Sequence, residues 1–150
     1  MKHTFLFKEG LWVVKGEYTG RDGNVVNMEG ETRTFHARSS WVTEGYVRLL
    51  MKDAPVQFDN RYEIVPFDKE KNYTTWKSFN PALGSFSGRF VVVDDTLIST
   101  FTSKDNEYSG AEILIQISDT HYRSRGFVFK KEERMSSWAA DLMSTGHLLH

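Results

Sequence analysis

Residues 10–36 read GLWVVKGEYTGRDGNVVNMEGETRTFH, and this stretch decides the fold. At its centre, residues 20–24 (GRDGN) contain an Asp-Gly pair, which supplies the positive φ angles that tight hairpin turns need. On both sides of the turn, apolar or small residues alternate with polar ones, as in a strand that is buried on one face. The stretch therefore predicts two antiparallel strands, with Trp12, Val14 and Tyr18 on the inner face.

The same alternation continues through most of the chain. Aromatic residues make up 14% of the sequence, and they accompany many Val, Ile and Thr residues, a composition that favours strands. Nine strands are predicted, near residues 11–19, 25–37, 41–51, 58–66, 73–79, 85–93, 96–103, 109–117 and 121–130. One-sided burial along so many consecutive short strands is what a sheet closed on itself requires. We therefore expect an all-β protein, an antiparallel up-and-down barrel of about 8–10 strands.

The C-terminal segment changes period. Its apolar residues follow the i, i+3, i+4, i+7, i+8 spacing of an amphipathic helix, at Met135, Trp138, Ala139, Leu142 and Met143. We therefore predict one α-helix over about residues 133–145, packed on the outside of the barrel. With no repeat and no linker-like segment, residues 1–150 are expected to form a single domain.

Composition excludes several classes of function. The 150 residues carry 19 Lys and Arg against 20 Asp and Glu, so no excess of positive charge exists for a general nucleic-acid binder. The absence of cysteine excludes disulfides, cysteine-ligated zinc, iron–sulfur clusters and thiol catalysis. No segment has the apolar length of a secretory signal or a membrane span. We expect a cytoplasmic protein, either a monomer or a homodimer.

Gly10 and Trp12 form a Gly-x-Trp motif at the start of the first predicted strand. Together with the meander and a terminal helix, this motif resembles the calycins, the superfamily of lipocalins, fatty-acid-binding proteins and related small barrels. The resemblance covers the architecture of the chain. It implies that Trp12 closes the barrel floor and packs against a basic residue near the end of the last strand, where Arg125, Lys130 and Arg134 are the candidates. It also implies an intracellular barrel that binds a small hydrophobic or amphipathic molecule.

A barrel of about eight to ten strands either fills with side chains or keeps a cavity for one small ligand. An apolar cavity with few polar anchors is the usual chemistry of a small-molecule site. The expected apolar walls are Val14, Tyr18, Met28, Val47, Leu49, Phe86, Phe90 and Ile115. The candidate ligand-binding residues are Trp12, His36, Tyr62, Trp76, Phe86, Phe90, Arg123 and Arg125. The alternative is a filled structural barrel without a ligand.

The last predicted strand places Arg123, Arg125, Phe127 and Phe129 on one face. If that face is inward, the two guanidinium groups need an anionic partner, because unpaired buried charge is costly. A ligand carboxylate or phosphate fits that need, and fatty-acid-binding barrels hold ligand carboxylates with inward Arg and Tyr. If the face is outward, the phenylalanines lie beneath the C-terminal helix and the arginines are solvated.

An enzyme on the same barrel is the alternative function. A lyase or isomerase for a small organic acid would use Arg123 or Arg125 to orient the carboxylate, and Glu112, Tyr62 or His36 to move a proton. Glu112 alternates with an isoleucine-rich face that is expected to be buried, which predicts that Glu112 faces solvent and weakens the enzyme hypothesis.

The histidines show no metal-binding pattern. His36 is expected on an inner face, where it is either a haem ligand or a hydrogen-bonded core residue, and we favour the core residue. The five histidines lack His-x-His and His-Glu-x-x-His spacing. His147 and His150 lie three apart near the end of the sequence, and we predict no metal site and no cofactor.

Overall fold

The computed structural model describes residues 2–81 and 83–145, so His147 and His150 lie outside the described residues. Within them, ten strands form a closed antiparallel barrel in which each strand pairs with its neighbours in sequence and β1 pairs with β10. The strands are β1 (Gly10–Thr19), β2 (Val25–His36), β3 (Trp41–Leu49), β4 (Val56–Ile64), β5 (Tyr73–Asn80), β6 (Gly84–Val93), β7 (Thr96–Ser103), β8 (Tyr108–Ser118), β9 (His121–Lys130) and β10 (Glu133–Ser144). The first nine agree with the predicted strands to within two residues at each end.

The predicted C-terminal helix is wrong, because β10 occupies its place and no helix occurs among residues 2–81 and 83–145. Along β10, Ser136, Ala140 and Leu142 are buried, whereas Asp141 and Met143 are exposed. This is the period of two that a strand with one inward face shows. The described part of the chain therefore also lacks any helix with the length and apolarity needed to cross a membrane.

The spacing led to a wrong helix prediction because two of these residues fit both the helical period of 3.6 residues and the strand period of two. Trp138 and Leu142 lie four positions apart, which places them on one face of either a helix or a strand. Long-range pairing decides between the two: Trp138 lies opposite Tyr18 of β1 and opposite Gly126 of β9. As a strand, β10 pairs the exposed backbone edges of both β1 and β9, which a helix cannot do.

The faces of β8 are the reverse of the prediction. Leu114 is buried, whereas Ile113 and Ile117 are exposed on the outer wall. Ile115 was expected to form part of the cavity wall, but it lies on the outer face opposite Arg123 of β9. Glu112 and Gln116 of this strand therefore face the interior of the barrel.

The segment before β1 closes one end of the barrel. Phe5 and Leu6 are buried at this end of the barrel, where Phe5 packs against Trp12 of β1. Leu6 adopts a positive φ of 72°. The hydroxyl oxygen of Tyr122 accepts a hydrogen bond from the Thr4 backbone N–H at 3.1 Å and lies 2.7 Å from His3 Nδ1. These contacts attach the N-terminal segment to β9 and form a solid floor.

The barrel opens where β4 meets β5. These two strands pair only from Tyr62 to Ile64 of β4, so the preceding part of β4 has no partner on this side. Large apolar side chains are exposed at this gap, among them Val56, Phe58 and Phe79. The gap gives access to the interior of the barrel.

Candidate functional site

A pocket of about 370 Å³ lies inside the barrel, above the floor that Phe5 and Leu6 form. Most of its wall is aromatic or aliphatic. The aromatic side chains that line it include Tyr18, Tyr62, Trp76, Phe86, Phe90, Phe101 and Trp138. Phe58, Phe79 and Leu83 line it at the gap between β4 and β5, so the pocket is continuous with the open end.

Glu112 is the carboxyl group that reaches into this apolar space from β8. It lies opposite Ser99 of β7 and Gly126 of β9, both on the inner face. Its Oε2 accepts hydrogen bonds from the Ser124 hydroxyl at 2.7 Å and from the Trp138 indole N–H at 3.2 Å. Burial raises the pKa of Glu112 above its ordinary value, while these two hydrogen bonds act in the opposite direction.

Trp138 is held in place by a glycine on the neighbouring strand. A Cβ added to Gly126 would lie 2.1 Å from the Trp138 ring, so only glycine lets the indole lie flat against β9. In this position the indole N–H also lies 3.1 Å from the Ser124 hydroxyl oxygen. Glu112, Ser124 and Trp138 thus form one hydrogen-bonded group, which we call the Glu112 cluster.

Tyr62 faces the same pocket from β4. Its ring packs edge-on against Trp76, with 4.9 Å between ring centroids, and the Trp76 indole N–H donates to the Ser99 hydroxyl at 3.1 Å. Burial raises the pKa of Tyr62, and the nearby charge of Glu112 raises it further. The phenol therefore stays protonated at neutral pH and can donate a hydrogen bond.

Three other charged residues border the pocket within the described part of the chain, Glu31, Asp59 and Arg61, but they occupy outward-facing positions of β2 and β4. Arg61 is exposed, and its guanidinium lies 3.7 Å from Glu44 and 3.4 Å from Glu63. Arg61 is therefore paired with carboxylates on the outer face, and among the described lining residues Glu112 is the charged side chain that faces the interior.

The structure brings four of the eight predicted site residues together. Tyr62, Trp76, Phe86 and Phe90 all line the pocket. Phe86 and Phe90 lie on β6, where alternation indicated the inner face correctly, and Tyr62 and Trp76 lie on β4 and β5.

Arg123 and Arg125 lie on the outer wall and do not line the pocket. Both are exposed, whereas Tyr122 and Ser124, which alternate with them along β9, are buried. The Arg123 guanidinium lies 3.7 Å from Asp141, and the Arg125 guanidinium donates to the Ser124 carbonyl at 2.8 Å. The inward alternative for this face is therefore excluded. On the outer wall the guanidinium groups stay solvated, and Arg123 also lies near the Asp141 carboxylate, so no charge has to be buried.

Trp12 lies in the floor rather than in the pocket. Its indole packs edge-on against Phe5 and Tyr122, each with 5.5 Å between ring centroids. The basic partner that the calycin resemblance implied is replaced by these rings. Of the three candidates, Arg125 is exposed outside, the Lys130 ammonium lies over Tyr108, and Arg134 donates to carbonyls of residues 19 and 20.

His36 is half-buried at the floor and hydrogen-bonded there, rather than being part of the buried core. Its Nε2–H donates to the Leu6 carbonyl at 2.7 Å, and its ring stacks on Trp41 with 4.2 Å between centroids. His36 is not among the residues that line the pocket, so its imidazole does not present a ligand nitrogen there and does not fit the role of a haem ligand. Among the residues that the structure describes, no group of three His, Asp or Glu side chains could hold a metal ion.

The Glu112 cluster is what the sequence analysis missed. The isoleucines at 113, 115 and 117 indicated a buried face, although they lie outside. A usable signal was present in β9: if the two arginines face outward, then Ser124 and Gly126 face inward, and antiparallel pairing carries Glu112 inward with them. Burying one carboxyl group with two hydrogen-bond donors costs less than burying two unpaired guanidinium groups.

Glu112→Gln is expected to raise the melting temperature at pH 8 and to lose that advantage as the pH falls towards 4. Because the folded-state pKa is raised, the folded protein binds this proton more tightly than the unfolded chain, whose glutamates titrate near ~4.3. Wild-type stability therefore falls as the pH rises through the folded-state pKa, whereas glutamine has no charge to bury. Tyr62, the titratable group that faces the same space, stays neutral over this range.

Thermal unfolding of both proteins from pH 4 to pH 8 measures this effect. In a chain of this length each kcal/mol changes the melting temperature by about 2–4 °C. Glu17→Gln is the matched control, because Glu17 is exposed on the outer face of β1 and undergoes the same chemical change. A difference between Glu112→Gln and wild type that does not vary with pH would contradict the raised pKa.

Comparison with known proteins identifies the fold. No family model matches the chain, and no curated protein matches it. The structure of the S-type phycobiliprotein lyase CPES from Guillardia theta matches with a TM-score of 0.67 over 92% of this chain and 88% of that chain, at 6% sequence identity. A redesigned β-barrel, mFAP1, bound to DFHBI, matches with a TM-score of 0.47 over 95% of this chain and 99% of that chain, at 14% identity.

At these identities the likeness to the lyase shows the fold alone. The closed ten-stranded meander with its Gly-x-Trp start is a calycin-like barrel, as the sequence resemblance predicted. Any function has to be argued from the pocket itself.

Proposed function

We propose that this protein binds one small, largely apolar molecule inside the barrel. The observation that carries the proposal is the pocket of about 370 Å³, with aromatic walls and one inward carboxyl group at Glu112. This volume lies at the lower end of the roughly 300–1,000 Å³ typical of small-molecule sites. Such sites combine an apolar wall with a few placed polar groups, which is the composition of this pocket.

The open end supports the proposal by providing a route for the ligand. Phe58 of β4, Phe79 of β5 and Leu83 are exposed at the gap and also line the pocket. A continuous apolar surface from solvent to interior lowers the cost of transferring an apolar molecule along it. The floor at the opposite end is sealed by Phe5, Leu6 and Trp12, so we place ligand exchange at the β4–β5 gap.

Titration calorimetry with neutral apolar probes tests the proposal. The first probe is 2-naphthalenemethanol, and fatty alcohols and larger aromatic alcohols are titrated separately. Val128 lines the pocket, so an indole ring in place of its isopropyl group would fill part of the space. Val128→Trp is therefore expected to weaken the affinity for any probe that binds in the pocket by at least tenfold. Phe127→Trp is the matched control, since its neighbour Phe127 is exposed on the outer wall of the same strand. Native mass spectrometry of the purified protein adds a search for a molecule that co-purifies.

Two outcomes would overturn the proposal. Failure of every probe to bind, with no co-purified molecule, would overturn the proposal and favour a filled structural barrel. Equal weakening by Val128→Trp and Phe127→Trp would show that the probe binds outside the pocket and would overturn it as well.

Glu112 also favours a second candidate function, a proton-transfer enzyme on the same barrel. A carboxyl group whose pKa is raised in an apolar pocket is a suitable general acid or base, and Tyr62 faces the same space as a hydrogen-bond donor. This differs from the enzyme alternative of the sequence analysis in two ways: Glu112 lies inside the barrel, and Arg123 and Arg125 no longer belong to the site. Recovery of bound molecules after incubation separates the two functions, since a binding protein returns its ligand chemically unchanged.

A further inference from the structure

We infer that the molecule held in the barrel donates a hydrogen bond from a nitrogen atom, as an amine or an N–H heterocycle, to the carboxyl group of Glu112. The inference rests on the proposed function and specifies the ligand class: a basic or N–H-bearing apolar molecule, rather than a fatty acid or another carboxylate. Three properties of the pocket support it.

The first property is the way the hydrogen bonds of Glu112 are distributed. Ser124 and Trp138 both donate to Oε2, at 2.7 and 3.2 Å. No described residue, in 2–81 or 83–145, donates to Oε1, and Glu112 lines the pocket. The protein therefore orients the carboxyl group from behind and leaves one oxygen towards the space that a ligand would occupy. A carboxylate oxygen accepts hydrogen bonds only, so its natural partner is a donor.

The second property is the sign of the charge. Among the described residues that line the pocket, Glu112 is the charged side chain on the inner face, and the one basic lining residue, Arg61, is exposed on the outer face and paired with two carboxylates. The arginines that could have received an anion, Arg123 and Arg125, are exposed outside. An anionic ligand would therefore meet repulsion from Glu112 with no free cationic lining group to offset it, whereas a cationic ligand would be attracted.

The third property is the apolar setting of the carboxyl group. Phe90, Leu114 and Phe101 line the same pocket, so water is largely excluded once a ligand is bound. In such surroundings an ion pair or charge-assisted hydrogen bond is stronger than in water, and leaving the carboxylate unpaired is costly. A ligand without a donor would leave Glu112 in that unpaired state, so the pocket discriminates against it.

Three naphthalene probes of nearly equal size test the inference at pH 8: 2-naphthalenemethylamine, 2-naphthalenemethanol and 2-naphthoic acid. We expect the wild-type protein to bind the amine at least tenfold more tightly than the alcohol, and the acid most weakly of the three. In Glu112→Gln the amine is expected to lose at least tenfold in affinity, while the alcohol changes less than threefold. Glu17→Gln, with the same change in net charge on the outer wall, is expected to leave all three affinities unchanged.

The outcomes separate the two proposals. If the alcohol binds in the pocket and the amine has no advantage, or loses equally in Glu17→Gln, the inference is overturned while the proposed function stands. If none of the three probes binds, the inference is overturned, and the proposed function is overturned with it when the fatty and larger aromatic alcohols also fail to bind and no molecule co-purifies. Should Glu112→Gln not yield folded protein, Glu112→Met replaces it with an apolar side chain of similar length, and the same loss for the amine alone is expected.

Discussion

Trp12→Ala is expected to lower the free energy of unfolding by about 3–5 kcal/mol, the range for truncating a large buried aromatic side chain. The indole is 3% exposed and packs against both Phe5 and Tyr122. Removing it leaves a cavity in the floor, between the N-terminal segment and β9. Because Phe5 also lines the pocket, the floor and the pocket are expected to loosen together.

Urea denaturation of Trp12→Ala measures this loss, with Leu11→Ala as the matched control. Leu11 precedes Trp12 on β1 and is half-buried on the opposite face, so its truncation is expected to cost less than about 1.5 kcal/mol. Trp12→Phe should recover part of the loss, because a smaller ring keeps some of the contacts. Similar losses in Trp12→Ala and Leu11→Ala would show that the indole does not close the barrel.

Gly45→Ala is expected to lower the free energy of unfolding by about 3 kcal/mol, at the upper end of the usual cost of overpacking. A Cβ at this position would lie 1.9 Å from the carbonyl oxygen of Glu31 and 2.9 Å from the Cα of Thr32. Both are backbone atoms of β2, so relief requires β2 and β3 to separate rather than a side chain to move. Two paired strands this close can be built only with glycine at this position.

Thermal unfolding tests this prediction, and the melting temperature should fall by about 6–12 °C in a chain of this length. Gly20→Ala is the matched control: it makes the same substitution in the first turn, where the nearest atom to an added Cβ is 3.5 Å away. A Gly45→Ala variant that unfolds within 2 °C of the control would mean that the two strands are not so tightly apposed.

Local pattern was a reliable guide where a strand has one apolar face and one charged face. In β2 the charged residues Glu29, Glu31 and Arg33 could only face outward, so both the strand and its inner face followed. The aromatic wall of the pocket was predictable for the same reason, because Phe86 and Phe90 alternate with Ser87 and Arg89.

Local pattern failed where both faces carry apolar residues. In β8 the isoleucines cover the outer wall and a glutamate faces inward, so hydrophobicity alone indicates the wrong face. In β10 the spacing of Trp138 and Leu142 fits two different secondary structures equally well. In both strands the outcome depends on the neighbouring strand, which is information that a single segment does not contain.

By itself, the sequence determined the all-β class, nine of the strands and the Gly-x-Trp start of a calycin-like barrel, because alternation and turn residues act over a few positions. Only the tertiary structure decided that residues 133–144 close the barrel as a strand, that Arg123 and Arg125 lie outside, and that Glu112 lies within. These three features are one consequence of closure. Once β10 joins β1 to β9, the register carries the inward direction from Trp138 through Gly126 to Glu112, and pairing between distant segments overrides local preference.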